Sequence, residues 1–344
     1  MSPSIMLFLL SNLALGTIIT ASSFHWFFAW IGLELNTLAI IPILTKQHHP
    51  RATEAATKYF IIQATASSII IFSSTFNAWH TGNWDITNIT TTPATILLTL
   101  ALMMKLGLAP LHFWLPEVMQ GTTMLSALII TTWQKLPPMS LLFLMTNQLS
   151  TTALFSLAVI STLIAGWSGL NQTQMRKIMA FSSIAHLGWI IMISPLSQNL
   201  MLLTLMTYIL MTASIFPIFI YTTTKTIKDL GQMWTSSPTL TTVTLMTLMS
   251  LGGLPPLIGF VPKWLILKEL TNNHFTLLAT ILALSSLLSL MFYMRLTYTT
   301  TLMIPPNTIN SNMKWRFKPK NLLHPTPMIT TLLLTTPLTP MIFI

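Results

Sequence analysis

Apolar runs, closed by Pro, Gly, Asn or a basic residue, follow one another along the whole chain. They predict eleven helices, at 3–21, 24–45, 55–79, 94–118, 122–146, 150–170, 174–194, 198–223, 239–270, 275–298 and 325–343. The last run carries Pro325, Pro327, Pro337 and Pro340, yet it ends in Met341-Ile342-Phe343-Ile344, which suits lipid better than water. A spanning helix needs roughly 20 residues, so a chain of this length holds about ten to twelve spans with no room for a soluble domain. The predicted fold is all-α, a single membrane domain over 1–344.

Composition agrees with the pattern. Only 22 of 344 residues are charged (16 Lys/Arg and 6 Asp/Glu), or 6%, where a soluble domain carries roughly 25%. With 52% hydrophobic residues and a mean hydropathy of +0.70, too little polar surface exists to cover a water-facing globule. The absence of Cys excludes disulfides, Fe–S ligation, Cys-bound haem and thiolate zinc. Met1 to Leu10 lack the basic residues of a signal or transit peptide, so the chain is expected to be made near where it works. The net charge of +10 is dispersed between apolar runs rather than gathered on a soluble face, which argues against nucleic acid as a partner.

The basic residues sort by side. Lys46, Arg51 and Lys58 follow the second predicted helix, Arg176 and Lys177 the sixth, Lys225 and Lys228 the eighth, and Arg295, Lys314, Arg316, Lys318 and Lys320 the tenth. Twelve of the sixteen therefore follow even-numbered helices, which puts the N-terminus on the basic face and the C-terminus on the opposite one. The basic stretch 307–321 is expected to lie along that face against anionic lipid.

Two helices are interrupted alike. Gly107-Leu-Ala-Pro110-Leu-His-Phe-Trp-Leu-Pro116 aligns without gaps to Gly253-Leu-Pro-Pro256-Leu-Ile-Gly-Phe-Val-Pro262, 146 residues on, and five of ten positions match, where about one is expected from composition. The copies fall five helices apart, so an odd-numbered unit is repeated and the two copies enter the membrane from opposite sides. The expected organisation is a first five-helix repeat over 1–146, a second over 150–298, a basic connector over 299–324 and a C-terminal helix over 325–344. Proline removes the bond to the carbonyl four residues back, so Pro110 frees that of Leu106, Pro255 and Pro256 free those of Leu251 and Gly252, and Pro137 and Pro138 free those of Trp133 and Gln134. Such carbonyls cannot face lipid and must meet side chains, other helices or water. A packed proline kink explains one such break; two in register point to a transport path.

Lys105, Lys135, Lys263 and Lys268 are the basic residues left once the loops are removed, and Glu34 is the clearest acid inside the membrane. Three lysines facing lipid would cost on the order of 9 kcal/mol even on the mildest insertion scale, so Lys105, Lys135 and Lys263 must face inward. Each adjoins freed backbone. An amine held away from water changes its proton affinity when a carboxylate approaches or leaves, so a chain of such groups can move protons without a bound cofactor. The bland alternative is a set of static ion pairs holding helices together. His186, in Ser-Ser-Ile-Ala-His186-Leu-Gly-Trp, and His112, inside the first break, are further relay candidates; a buried histidine that bridges helices is the ordinary alternative. His25, His48, His49, His80, His274 and His324 fall at helix ends or in loops without metal-ligand spacing. Glu117 and Lys268 fall near the mouths of a path, and Glu54, Asp85, Asp229 and Glu269 look interfacial.

The runs Arg51-Ala-Thr-Glu-Ala-Ala-Thr-Lys-Tyr-Phe60, Lys105 through Glu117, Gly169-Leu-Asn-Gln-Thr-Gln-Met-Arg-Lys-Ile-Met-Ala180, Ser182-Ser-Ile-Ala-His186 and Leu251-Gly-Gly-Leu-Pro-Pro256 through Lys263-Trp264 closely resemble the antiporter-like membrane-arm subunits of respiratory complex I, the mitochondrial NADH–ubiquinone oxidoreductase. The resemblance covers nearly the whole chain. It implies a multi-pass subunit of the inner mitochondrial membrane, with the basic face and the N-terminus toward the matrix and the C-terminus toward the intermembrane space. By position Glu34 and Lys105 match the family's charge pair, Lys135 its connecting lysine, Lys263 the group of its second half-channel, and His186 a polar residue of its central axis. The family's fuller form has three more N-terminal helices, which leaves one flank here to neighbouring chains or lipid. The implied partners are other membrane-arm subunits, both antiporter-like and accessory, and phospholipids such as cardiolipin. NADH, FMN, iron–sulfur clusters and ubiquinone belong to other subunits of such a complex, and no cofactor is expected in this chain. The expected function is proton translocation driven by electron transfer elsewhere. The alternatives are a scaffold that spans the gap between pumping neighbours and a free-standing cation/proton antiporter.

Overall fold

The computed structural model describes residues 2–302 apart from Gln47, Ser237 and Pro256. In chain order the helices are α1 (Pro3–Ser22), α2 (Trp26–Leu44), α3 (Pro50–Thr81), α4 (Thr92–Leu106), α5 (Trp114–Gly121), α6 (Met124–Thr131), α7 (Leu136–Met145), α8 (Thr151–Leu170), α9 (Met175–Ile193), α10 (Gln198–Thr222), α11 (Ile227–Ser236), α12 (Pro238–Gly252), α13 (Phe260–Asn272) and α14 (Thr276–Leu302), with a 3-10 turn over Trp133–Lys135 between α6 and α7. The fold is all-α. Among the described residues α1, α2, α3, α8, α9, α10 and α14 are long and apolar enough to cross a membrane, so the chain is a multi-pass membrane protein. The segment predicted at 325–343 lies outside the described residues, as does the connector beyond Leu302.

Four boundaries differ from the sequence pattern, each for a local reason. The runs 94–118 and 239–270 are each two helices, α4 with α5 and α12 with α13, because Gly107 (φ +76) and Gly253 (φ +80) end the first of each pair in the left-handed region. The run 122–146 divides at Thr132–Lys135, where Pro137 cannot bond the Trp133 carbonyl; the 3-10 turn gives that carbonyl to the Leu136 N–H instead. Helix α3 begins at Pro50 rather than 55, since the His49 ring accepts the Arg51 N–H at 3.2 Å and proline suits a first helical position. Helix α11 was not anticipated. It is short and polar-faced, and Asp229 starts it by accepting the Lys225 and Thr226 N–H groups at 2.9 Å each, the return half of a capping box.

Among the described residues the chain forms two compact units, one of 2–161 with Ile190–Gln198, the other of Thr162–Trp189 with 199–302. In the first, α1 and α2 cross so closely that a Cβ on Gly32 would stand 2.9 Å from the Gly16 carbonyl, the small-residue packing that replaces the hydrophobic effect in lipid. Helix α3 packs on α2, α4 and α5, and α7 on α1, α2 and α4. In the second unit α14 packs on α11, α12 and α13. Many threonines and serines sit in these apolar helices at little cost, because each hydroxyl bonds a carbonyl of its own helix. On α12, Thr244, Thr247 and Ser250 donate to Thr241, Thr244 and Thr247 at 2.7, 3.0 and 2.7 Å.

Candidate functional site

The first break leaves the last carbonyls of α4 without helical partners, and each finds one. Met103 accepts the Gly107 and Leu108 N–H groups at 2.9 and 3.0 Å. Met104 accepts the indole N–H of Trp114 at 3.2 Å. Lys105 accepts from the Gln63 amide at 3.5 Å, while its own Nζ donates to the Gln63 carbonyl at 3.4 Å. Leu106, the carbonyl that Pro110 frees, accepts from Nζ of Lys135. Lys105 and Lys135 are 4% and 1% exposed, and both line one small cavity of mixed character with Asn36, Tyr59, Gln63, Gln134 and Trp114. Its space for a water's centre is about 10 Å³, close to the room one water needs. Trp114 lines it, with Lys135 Nζ 5.7 Å over the indole and the Tyr59 ring edge-on at 5.8 Å.

The second break repeats the design with different parts. Gly253 and Leu254 donate to Met249 at 3.1 and 3.3 Å, 146 residues after their counterparts at Met103. Gly252 is the counterpart of Leu106, and its carbonyl accepts from Nζ of Lys263 at 2.8 Å. One lysine thus serves the equivalent carbonyl in each unit. In the first it comes from the 3-10 turn that precedes α7, in the second from α13, the continuation of the broken helix itself. His186 on α9 bonds the Ser182 carbonyl through Nδ1 at 2.8 Å, also meets the Leu251 carbonyl, packs against Tyr208 with the rings tilted by 33° and their centroids 5.5 Å apart, and lies within electrostatic reach of Lys263.

The remaining predicted residues fall out as follows. Glu34 on α2 acts on Lys105 through its charge but makes no ion pair with it, and its Oε2 is buried without a hydrogen bond among the described residues. His112 is buried between α4 and α5 with its ring 4.3 Å from that of Phe113. Glu117 is exposed and pairs with Lys58 at 2.7 Å, as does Glu54, which ties α5 to α3. Lys268 is exposed on α13. His25 and His49 cap α2 and α3. Trp114, Tyr59, Gln63 and Gln134 were not singled out by sequence, and neither was Tyr208. The signal for Trp114 was its place inside the first break.

Chemically the two lysines have a useful property. An ammonium has three N–H donors and a neutral amine two, so either form keeps the freed carbonyl bonded. A proton can therefore come and go without breaking the helix end that holds the amine.

A family profile described as NADH:quinone oxidoreductase/Mrp antiporter, TM, matches residues 23–289, and one described as NADH dehydrogenase subunit 2 C-terminus matches residues 290–343. The chain is 51% identical to NADH-ubiquinone oxidoreductase chain 2 of Salmo salar, over 99% of this chain and 98% of that one. It is 53% identical to the protein of the same name from Tetraodon nigroviridis, over 99% and 98%. Its fold is similar to that of a chain in respiratory complex I from Thermus thermophilus, with a TM-score of 0.85 at 24% identity, covering 98% of this chain and 78% of that one. A chain of the Mrp complex from Dietzia sp. DQ12-45-1b gives a TM-score of 0.78 at 17% identity, over 87% and 61%.

Proposed function

The chain belongs to the NADH:quinone oxidoreductase/Mrp antiporter family of membrane proteins, and on that premise we propose that it is a proton-translocating membrane subunit of respiratory complex I. Its place is the inner mitochondrial membrane among other subunits of that complex, with the N-terminus in the matrix and the C-terminus in the intermembrane space. Electron transfer from NADH to ubiquinone occurs in other subunits. The observation that carries the reading is the matched pair of broken helices, in which an intramembrane lysine holds the carbonyl freed at Leu106 and again at Gly252.

In this reading Lys105 and Lys135 share one cavity and exchange a proton across the space of a single water. Glu34 biases that exchange by its charge. Its carboxylate is near enough to act on Lys105 and too far to lock it in an ion pair, which suits a switch better than a strut. Lys263 and His186 serve the second unit. Phospholipids, cardiolipin among them, cover the apolar outer faces that neighbouring chains leave bare. The test is Lys105→Met in the assembled enzyme, reconstituted in sealed vesicles, with protons moved per NADH oxidised as the readout. The reading expects the ratio to fall. An unchanged ratio with full coupling favours a scaffold, and ion transport by the purified chain alone in liposomes favours a free-standing antiporter.

A further inference from the structure

Away from the broken helices, the second unit carries an open groove of about 720 Å³ between α12 and α14, with Leu170 at the end of α8 beside it. That is within the roughly 300–1,000 Å³ of sites that bury most of a small ligand. Met246 and Met249 of α12 and Met291 of α14 line it, and unbranched, polarisable side chains of this kind adapt to an irregular apolar guest. Along α14 the lining then changes. Arg295 and Tyr298, one and two turns beyond Met291, face the same groove, so it is apolar at one end and carries a cation and a phenol at the other.

The charge of Arg295 has no counter-charge in the chain. Its guanidinium donates to the carbonyls of Leu170 and Gln172, which are neutral acceptors. No carboxylate pairs with it among the described residues. The described acids of the second unit are Asp229 and Glu269. Asp229 accepts the Lys225 and Thr226 N–H groups, and Glu269 precedes α14, whose start lies roughly 28 Å along the helix from Arg295. More cations gather at this end instead. The loop that holds Gln172 pairs with the one after α10, Met175 N–H to the Lys225 carbonyl at 3.0 Å and Ile227 N–H to that of Thr173 at 3.1 Å. Arg176, Lys177, Lys225 and Lys228 all fall within two residues of those bonds.

We propose that this groove is a binding site for an anionic phospholipid, with an acyl chain between α12 and α14 and the phosphate at the Arg295 end. Both halves of the groove are then matched by one molecule. The acyl chain covers the methionines, and the headgroup supplies the negative charge that the chain itself does not bring to Arg295 and the basic loops. Tyr298 suits the level between them, since a phenol ring sits well where headgroups meet hydrocarbon. An apolar helix of a neighbouring chain would fill the methionine end and leave the cation without a counter-charge. A zwitterionic lipid would fill it too, without the gain from net charge. The site is independent of the proton path, so it stands or falls apart from the function proposed above.

The test uses the assembled complex in vesicles of phosphatidylcholine doped with a phosphatidylglycerol or a phosphatidylcholine probe, each bearing the same photoactivatable acyl chain, and maps the labelled peptides by mass spectrometry. The phosphatidylglycerol probe is expected to label α12 around Met246 and Met249 and α14 around Met291 about fivefold more than its zwitterionic counterpart, which is about 1 kcal/mol for one basic residue near an anionic headgroup. Arg295→Gln should erase the preference and leave the labelling itself. Met291→Trp, at a residue 59% exposed, should lower labelling by both probes because the indole fills the groove. Equal labelling of the unaltered chain by the two probes means ordinary bilayer lipid only and overturns the proposal. Labelling by neither means that a neighbouring chain or residues 303–344 cover the groove, which also overturns it. Should Arg295→Gln be lost from the complex, because it also holds the end of α8, Met291→Trp decides: a preference in the unaltered chain that Met291→Trp removes supports the site, and one it leaves intact overturns it.

Discussion

Lys135→Met separates a lysine that conducts from one that merely holds helices together. Lys135 is 1% exposed, donates to the Leu106 carbonyl and lies 5.7 Å over the Trp114 ring. Methionine has a similar unbranched shape and fills the space without a donor. The substitution leaves a buried carbonyl unpaired, a loss of about 1–3 kcal/mol, and removes a cation–π contact of about 0.5–2 kcal/mol. Against this, it takes an amine out of the membrane interior, worth about 2.5–3.5 kcal/mol. The contributions oppose one another, so the net change in stability is expected within about 2.5 kcal/mol of zero. The assay pairs thermal inactivation of the assembled complex with protons moved per NADH oxidised in sealed vesicles. Nearly unchanged inactivation with a lower proton ratio is the expected result. The reasoning fails if the ratio is unchanged. It fails equally if the chain is lost from the complex, since a destabilisation of about 3–5 kcal/mol marks a buried charge whose partner has been removed.

Other outcomes follow from the same geometry. Gly253→Ala places a Cβ 2.7 Å from Lys263 Nζ at a φ of +80, so it should cost roughly 1–2 kcal/mol for the left-handed backbone and displace the lysine, lowering the proton ratio. Gly82→Ala is its control, with a φ of +73 and nothing within 4 Å: a similar loss in thermal inactivation is expected, with the proton ratio intact. Trp114→Phe removes the indole N–H from the Met104 carbonyl and should cost about 1–3 kcal/mol in thermal inactivation. Asp229 loses some solvation on folding, which raises its pKa, but the Lys225 and Thr226 N–H groups outweigh this and hold it below the usual 3.8. Its contribution to α11 is therefore complete above that value and lost as pH falls through the lowered one. Hydrogen exchange of the α11 amides should be independent of pH-driven loosening at neutral pH and should show it only in strong acid, and Asp229→Ala should abolish that acid step.

Much of this fold was legible because lipid is an exacting solvent. A helix in hydrocarbon must be apolar over a fixed length, so α1, α2, α8, α9 and α10 fall within a few residues of their predicted ends. Helix α11 escaped because it is short and polar on one face, and a search for apolar runs cannot see it. The candidate lysines were legible for the complementary reason, since an amine in an apolar run has so few tolerable surroundings. The residues around them were not. Gln63, Tyr59 and Gln134 are unremarkable in any helix, and only their neighbours give them meaning.

The breaks themselves were written locally. Gly107 and Gly253 supply the left-handed backbone that ends α4 and α12, and the prolines beyond them dictate which carbonyls go without a helical partner. Sequence therefore determined that Leu106 and Gly252 would need donors. Tertiary structure decided which donors they got. Lys135 lies 29 residues from Leu106 and Lys263 only 11 from Gly252, and no sequence offset relates the two solutions. A freed carbonyl accepts from any amine that packing brings within reach, so the need repeats with the backbone while the answer depends on which helix lies alongside.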